Sequence, residues 1–187
     1  EIKQIKALRD LPSTLENARK WILIGLYVGQ RVSDLLNLKP SQLRFIENGV
    51  YIDINQQKTD KYVTVGVVDK EVIQILKKNF PYSISAQLFN RQIKQICQIA
   101  GIYEMVSGYK LCIKTRRKRL GTHPKYSLIS SHDLRRSFAT NYFGKIETPI
   151  LIQITGHSKE STFLSYIGSQ VNKDTYADAF MKIAATL

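Results

Sequence analysis

Ser131-His132-Asp133-Leu134-Arg135-Arg136-Ser137-Phe138-Ala139-Thr140 is the stretch whose reading governs the rest of this chain. It predicts a helix over 133–143, and the three-residue step from His132 to Arg135 places an imidazole and a guanidinium on one helical face. In isolation, a surface helix carrying a cation pair has the same pattern. Downstream, Gly156-His157-Ser158-Lys159-Glu160-Ser161-Thr162-Phe163-Leu164-Ser165-Tyr166 sets a tyrosine nine positions after a further histidine. Helices are also expected over 148–155, 159–165 and 172–185.

Upstream the pattern is less regular. Residues 103–106, Gly108 and 110–115 suggest a hairpin carrying the basic run Lys114-Thr115-Arg116-Arg117-Lys118-Arg119. Val50, Ile52 and Ile54 alternate with polar neighbours, and Val63 and Val65 alternate with Tyr62 and Thr64. With turn residues at Glu47-Asn48-Gly49 and Lys58-Thr59-Asp60, this predicts three antiparallel strands within 43–67. Asp69 is placed to cap a helix reaching about Asn79, ahead of Pro81. Ser85 opens another, with Leu88, Ile93, Ile96 and Ile99 inward and Gly101 as its stop. At the N-terminus, Ser13 and Glu16 have the spacing of a capping box. Leu15, Ala18, Ile22 and Leu26 then recur at helical spacing until Gly29, and a short helical turn over 33–38 ends at Pro40. The expected fold class is α+β, mainly α, with a small three-stranded antiparallel sheet at one edge.

At 187 residues the chain fits one domain, 1–187, large enough to bury a core without staples. Its first residue, Glu1, suggests a domain cut from a longer protein. No apolar run approaches membrane-spanning length, since Trp21 to Val28 covers only eight residues. Cys97 and Cys112 lack zinc-type or redox-type spacing, and His123, His132 and His157 are too scattered to propose a ligand set. A reducing cytoplasm and no structural metal are expected. The formal net charge is +13, and residues 110–136 hold nine cations against one acid, Asp133. These cations follow loops and strands and not one face of an amphipathic helix, which favours nucleic acid over an anionic membrane as partner.

Two histidines, a spaced arginine, a basic stretch and a tyrosine together point to phosphodiester chemistry. Breaking that bond without metal puts extra negative charge on two non-bridging oxygens, which preplaced guanidinium groups stabilise. It also needs a nucleophile and a proton donor for the departing oxygen. A two-metal nuclease needs clustered carboxylates, and the fifteen acids are dispersed; no Walker loop is present either. Ten tyrosines occur, so Tyr166 stands out only by its distance from His157.

The stretch from His132 to Thr140 resembles the catalytic-domain box of tyrosine recombinases, the site-specific integrases of phages and mobile elements. Gly29-Gln30-Arg31-Val32-Ser33-Asp34 is similar to the family's first arginine motif, with Gln30 where an apolar residue is usual and Asp34 in place of a longer acid. Thr155-Gly156-His157 resembles its third box, Thr155 replacing the common leucine, and Gln57-Lys58-Thr59-Asp60 resembles its Lys-Thr-Gly turn.

The resemblance implies a catalytic set of Arg31, Lys58, His132, Arg135, His157 and Tyr166. Tyr166 would be the nucleophile, His132 would take or steady its proton, and Lys58 would be the general acid, with Lys61 as rival. It implies cleavage and rejoining of double-stranded DNA through a 3′-phosphotyrosine, with no cofactor. It further implies a homotetramer on DNA, with a monomer in isolation as the alternative, and an N-terminal DNA-clamping domain outside this chain. A bacterial, cytoplasmic, DNA-associated setting follows. Lys114, Arg116, Arg117, Lys118, Arg119 and Arg136 are expected to contact DNA. Flanking arginines are expected to ease ionisation of Tyr166, and the tail 172–187 to pack either on its own protomer or on a neighbour. A type IB topoisomerase shares the tyrosine chemistry but reseals the same strand, and the short His157-to-Tyr166 spacing favours the recombinase. An accessory DNA-binding protein that has lost activity would have no need of Tyr166.

Overall fold

The structure is a computed structural model that describes residues 1–112, 115–168, 180–181 and 184–185. After a short helix α1 (Ile2–Ala7), helix α2 (Ser13–Val28) forms the centre of the molecule. Trp21, Ile22, Leu23, Ile24, Leu26 and Val28 are all buried, so α2 is apolar around its circumference and must be surrounded. Helices α4 (Lys70–Lys78), α5 (Ala86–Ile99) and α6 (Ser131–Tyr142) and a sheet pack against it. α2 ends at Gly29, which adopts the left-handed conformation, and the chain turns directly into α3 (Val32–Leu36).

The expected three strands form as β1 (Leu43–Ile46), β2 (Gly49–Gln56) and β3 (Lys61–Val67), antiparallel in that order. Val50, Ile52 and Ile54 face inward opposite Val67, Val65 and Val63. Asp69 and Ser85 cap α4 and α5 as expected, accepting from the Val72 and Leu88 amides. Cys97 is buried in α5, and burial pushes its thiol up to about 12.

Four expectations need correction. The Ser13–Glu16 capping box does not form, because the Glu16 carboxylate is gripped by Arg19 through Nε at 2.8 Å and Nη2 at 3.0 Å. Ile99 is exposed and Phe89 takes its place in the core. The inward face of α5 runs through Phe89, Ile93, Ile96 and Cys97 to Ala100, and Ile99 falls outside it.

The third correction concerns the hairpin. It runs as β4 (Met105–Cys112) and β5 (Arg117–Pro124), so most of the basic run lies on the second strand and not the first. Gly108 is not a turn residue but lies within β4, opposite Gly121. It sits mid-strand, where an added Cβ would lie 2.5 Å from Leu128 Cδ1, so the Leu128 side chain packs directly against the strand backbone. Fourth, the helix carrying His132 begins at Ser131, two residues earlier than expected. The Ser130 amide and hydroxyl both donate to Asp133 Oδ2, which ties down its first turn.

Helices α7 (Thr148–Thr155) and α8 (Glu160–Ile167) complete the described chain. With α6 they build a second small core of Phe138, Ala139, Leu151 and Phe163. Lys114 and nearly all of the tail 172–187 lie outside the described residues. Among the described residues no helix is long and apolar enough to cross a membrane.

Candidate functional site

Two helix C-termini, those of α2 and α7, meet beside the N-terminal half of α6. The last carbonyls of a helix lack intrahelical donors and carry partial negative charge, so their junction attracts donors and cations. Arg135, only 3% exposed, donates from Nη1 to Gly29 O at 3.2 Å and from Nη2 to Thr155 O. Arg31 Nη2 reaches Gly156 O at 3.4 Å, while its Nη1 is buried without a hydrogen-bond partner. The guanidinium groups are therefore held by backbone, one of them with an uncommitted donor.

These side chains line a cavity of about 400 Å³ together with Gln30, Lys58, Ser131, His132, His157 and Tyr166. Arg31 comes from the α2–α3 junction, Lys58 from the β2–β3 turn, and His132 from the first turn of α6. His157 follows α7, and Tyr166 sits in the last turn of α8. All six residues expected to form a catalytic set thus share one space. Lys61, the rival to Lys58, pairs with Gln56 at the base of β3 and is absent from the lining.

The Tyr166 hydroxyl donates to His132 O at 3.2 Å, and its ring meets that of His132 edge-on with centroids 4.9 Å apart. The His157 ring lies 5.1 Å away, and the guanidinium carbons of Arg135 and Arg136 stand 6.0 and 5.5 Å from the phenol ring. Burial raises the phenol above its ordinary value and outweighs the downward pull of Arg135 and Arg136. The flanking arginines do ease its ionisation, as expected, but within the chain alone desolvation dominates and the net shift is upward.

Burial, with Arg135, Arg31 and His132 adding repulsion, lowers His157 to about 4. His132 is lowered too, by burial against a smaller opposing pull from Asp133. Both imidazoles are neutral near pH 7. Thr155 Oγ1 lies 2.5 Å from Leu151 O and 2.8 Å from His157 Nδ1. Its single proton goes to the carbonyl, so Nδ1 carries the hydrogen and Nε2 is left as the acceptor.

A prediction follows from the sign of the His157 shift. The fold binds this proton less readily than the unfolded chain, so stability present above pH 6.5 is lost as pH falls towards 4. Thermal melts of His157→Gln are expected to be flatter than wild type across that window, and equal slopes would count against it.

A model of the phage integrase family matches residues 1–173. The chain belongs to the phage integrase family. A tyrosine recombinase of Pseudothermotoga lettingae is 29% identical over 164 residues, covering 84% of this chain and 52% of that protein. Among solved structures, XerH recombinase bound to difH in a pre-cleavage complex superposes with a TM-score of 0.65 at 20% identity, over 95% of this chain and 50% of that one. A lambda integrase dimer bound to a COC′ core site gives 0.61 at 18%, over 92% and 58%. The Tn1549 transposon integrase in complex with transposon right-end DNA gives 0.60 at 15%, over 90% and 59%. The chain spans about half the length of these relatives.

Within this phage-integrase catalytic fold, the departures noted in the sequence have structural work. Thr155 meets the His157 ring, and Asp34 Oδ1 accepts from the Gln57 amide at 3.1 Å, beside Lys58. The reading from sequence missed Gln56. It continues the inward series of Val50, Ile52 and Ile54 and is fully buried. A polar residue in that register was the available signal. Arg116, Arg117, Lys118 and Arg119 are exposed on the β4–β5 hairpin and do not line the cavity, whereas Arg136 is exposed beside the Tyr166 ring.

Proposed function

We propose that the intact protein is a site-specific DNA recombinase that cuts and rejoins duplex DNA through a 3′-phosphotyrosine. The observation that carries this reading is the convergence of Arg31, Lys58, His132, Arg135, His157 and Tyr166 on one cavity. Arg31 and Arg135 hold the two non-bridging oxygens of the scissile phosphate, the first through its unpartnered Nη1. Tyr166 Oη attacks phosphorus, and its proton passes to the neutral His132. The new P–O bond forms as the bond to the 5′ oxygen breaks, and Lys58 gives that oxygen a proton. His157 takes up a proton as the phosphate arrives, because a nearby anion favours the imidazolium. The phosphoester stays high in energy, so attack by another strand's 5′ hydroxyl reseals DNA without ATP.

Double-stranded DNA is the partner, engaged on one side by this domain and on the other by an N-terminal clamping domain. The active assembly is a homotetramer working in the cytoplasm; a lambda integrase tetramer bound to a Holliday junction has the same fold. The test is to incubate the intact protein with a pool of nicked duplexes carrying a randomised core. Denaturation-stable adducts are then recovered and the attached peptide identified by mass spectrometry. The expected peptide contains Tyr166; a different residue, or no adduct, overturns the reading.

The hairpin cations act on DNA backbone in this reading. Replacing Arg116, Arg117, Lys118 and Arg119 by Gln is expected to weaken binding of all duplexes alike and to flatten its salt dependence. The slope falls by about one log–log unit for each phosphate contact removed. Titrations from low to high salt measure this, and an unchanged slope would make the run a bystander.

A further inference from the structure

Two buried glutamines tie together three parts of the cavity wall: the end of α2, the end of α7 and the turn that carries Lys58. Gln56 is 0% exposed and Gln30 is 2% exposed, so their amides require partners. Gln56 Nε2 donates to Gln30 Oε1 at 2.8 Å and to Ile154 O at 3.1 Å. Gln30 Nε2 donates to Val28 O at 3.1 Å and Ile154 O at 2.8 Å. The Thr59 hydroxyl donates to Gln56 Oε1 at 2.8 Å. All four amide hydrogens and both amide oxygens are thereby engaged. The pair caps the ends of α2 and α7 while one member begins the turn that carries Lys58. The Gln56 backbone carbonyl closes that turn, accepting from the Thr59 and Asp60 amides at 3.2 and 2.8 Å.

The fit at α7 is tight. Gly156 has φ +66°, and an added Cβ would lie 1.9 Å from Gln56 Oε1. The corner leading to His157 therefore packs directly on the amide that anchors the Lys58 turn. Lys58 itself is exposed on a four-residue turn with a flexible stem, so its reach into the cavity depends on where that turn is held.

We propose that the Gln30–Gln56 amide pair is the positioning device for proton donation: it registers the Lys58 turn against the Gly156 corner so that the ammonium meets the departing 5′ oxygen. This rests on the recombinase reading and on Lys58 as the donor. Gln56 and Gln30 touch no reacting atom. They act through Lys58, and Thr59 is the link between amide and turn.

The test uses a duplex recovered from the randomised pool, prepared with oxygen or with sulfur at the bridging 5′ position. A sulfur leaving group departs without a proton. Gln56→Leu is expected to lose about 100-fold in cleavage of the oxygen duplex, the scale of general acid catalysis, and no more than about threefold on the sulfur duplex. Lys58→Ala, run alongside, is expected to show the same pattern. Thr59→Val keeps shape without the hydroxyl and is expected to lose about tenfold on oxygen alone, with Thr59→Ser restoring it. Should Gln56→Leu fail to fold, the Thr59 pair decides.

Equal losses on both duplexes, while Lys58→Ala is rescued by sulfur, overturn the positioning role and leave the recombinase reading intact. Failure of sulfur to rescue Lys58→Ala removes Lys58 as donor and this inference with it. A wild-type protein that cleaves neither duplex overturns the function itself.

Discussion

Tyr166→Phe is expected to lower covalent adduct formation by about 10⁴-fold or more while leaving duplex binding within about threefold. The substitution removes one oxygen from a half-buried side chain whose ring contacts are with His132, His157, Arg135 and Arg136. Phenylalanine keeps those ring contacts and loses the hydroxyl with its 3.2 Å hydrogen bond to His132 O, which, partly open to solvent, is worth about 1 kcal/mol or less. In the proposed reading duplex binding draws on cations elsewhere, so it is expected to survive. Chemistry does not, because no other phenol lines the cavity among the described residues. Gel shift measures duplex binding, and denaturing gels of nicked duplex measure adduct formation. An adduct persisting near the wild-type rate would place the nucleophile on another side chain.

Arg135→Ala is expected to strike both fold and chemistry. The guanidinium is buried and satisfies carbonyls at the ends of two helices, Gly29 O and Thr155 O. Removing it leaves two buried acceptors unpaired, at about 1–3 kcal/mol each, so a loss of roughly 2–6 kcal/mol in stability is expected. Arg135→Lys separates the two effects. A lysine retains charge but presents no fork to span both carbonyls and a phosphate. It should recover part of the stability while cleavage stays about 100-fold or more below wild type. Denaturant melts and single-turnover cleavage measure the two quantities. Full activity in Arg135→Lys would mean that the fork is not what stabilises the reaction.

Much of this was legible residue by residue. Alternation in Val50–Ile54 and Val63–Val67 gave correct strands and the correct inward face, because a strand's period of two is set by local sterics. Asp69 and Ser85 were correct caps because each acts on an amide three residues away. Ser13 was not, because Glu16 found a stronger partner in Arg19, whose own position depends on Glu71 from a different helix. Gly108 was misread for a similar reason. Its neighbour Leu128 is twenty positions away along the chain and invisible to local pattern.

The candidate catalytic set could be named from sequence since its motifs have fixed local spacing: His132 with Arg135, and His157 with Tyr166. What spacing along the chain could not supply was the medium around them. The raised phenol, the lowered imidazoles and the tautomer of His157 follow from burial and from Thr155. The Gln30–Gln56 pair belongs to the same category, since Gln56 and the Ile154 carbonyl it caps are 98 residues apart. Periodicity and capping are short-range and survive in one dimension. Desolvation and the meeting of two helix ends exist only once distant segments are packed together.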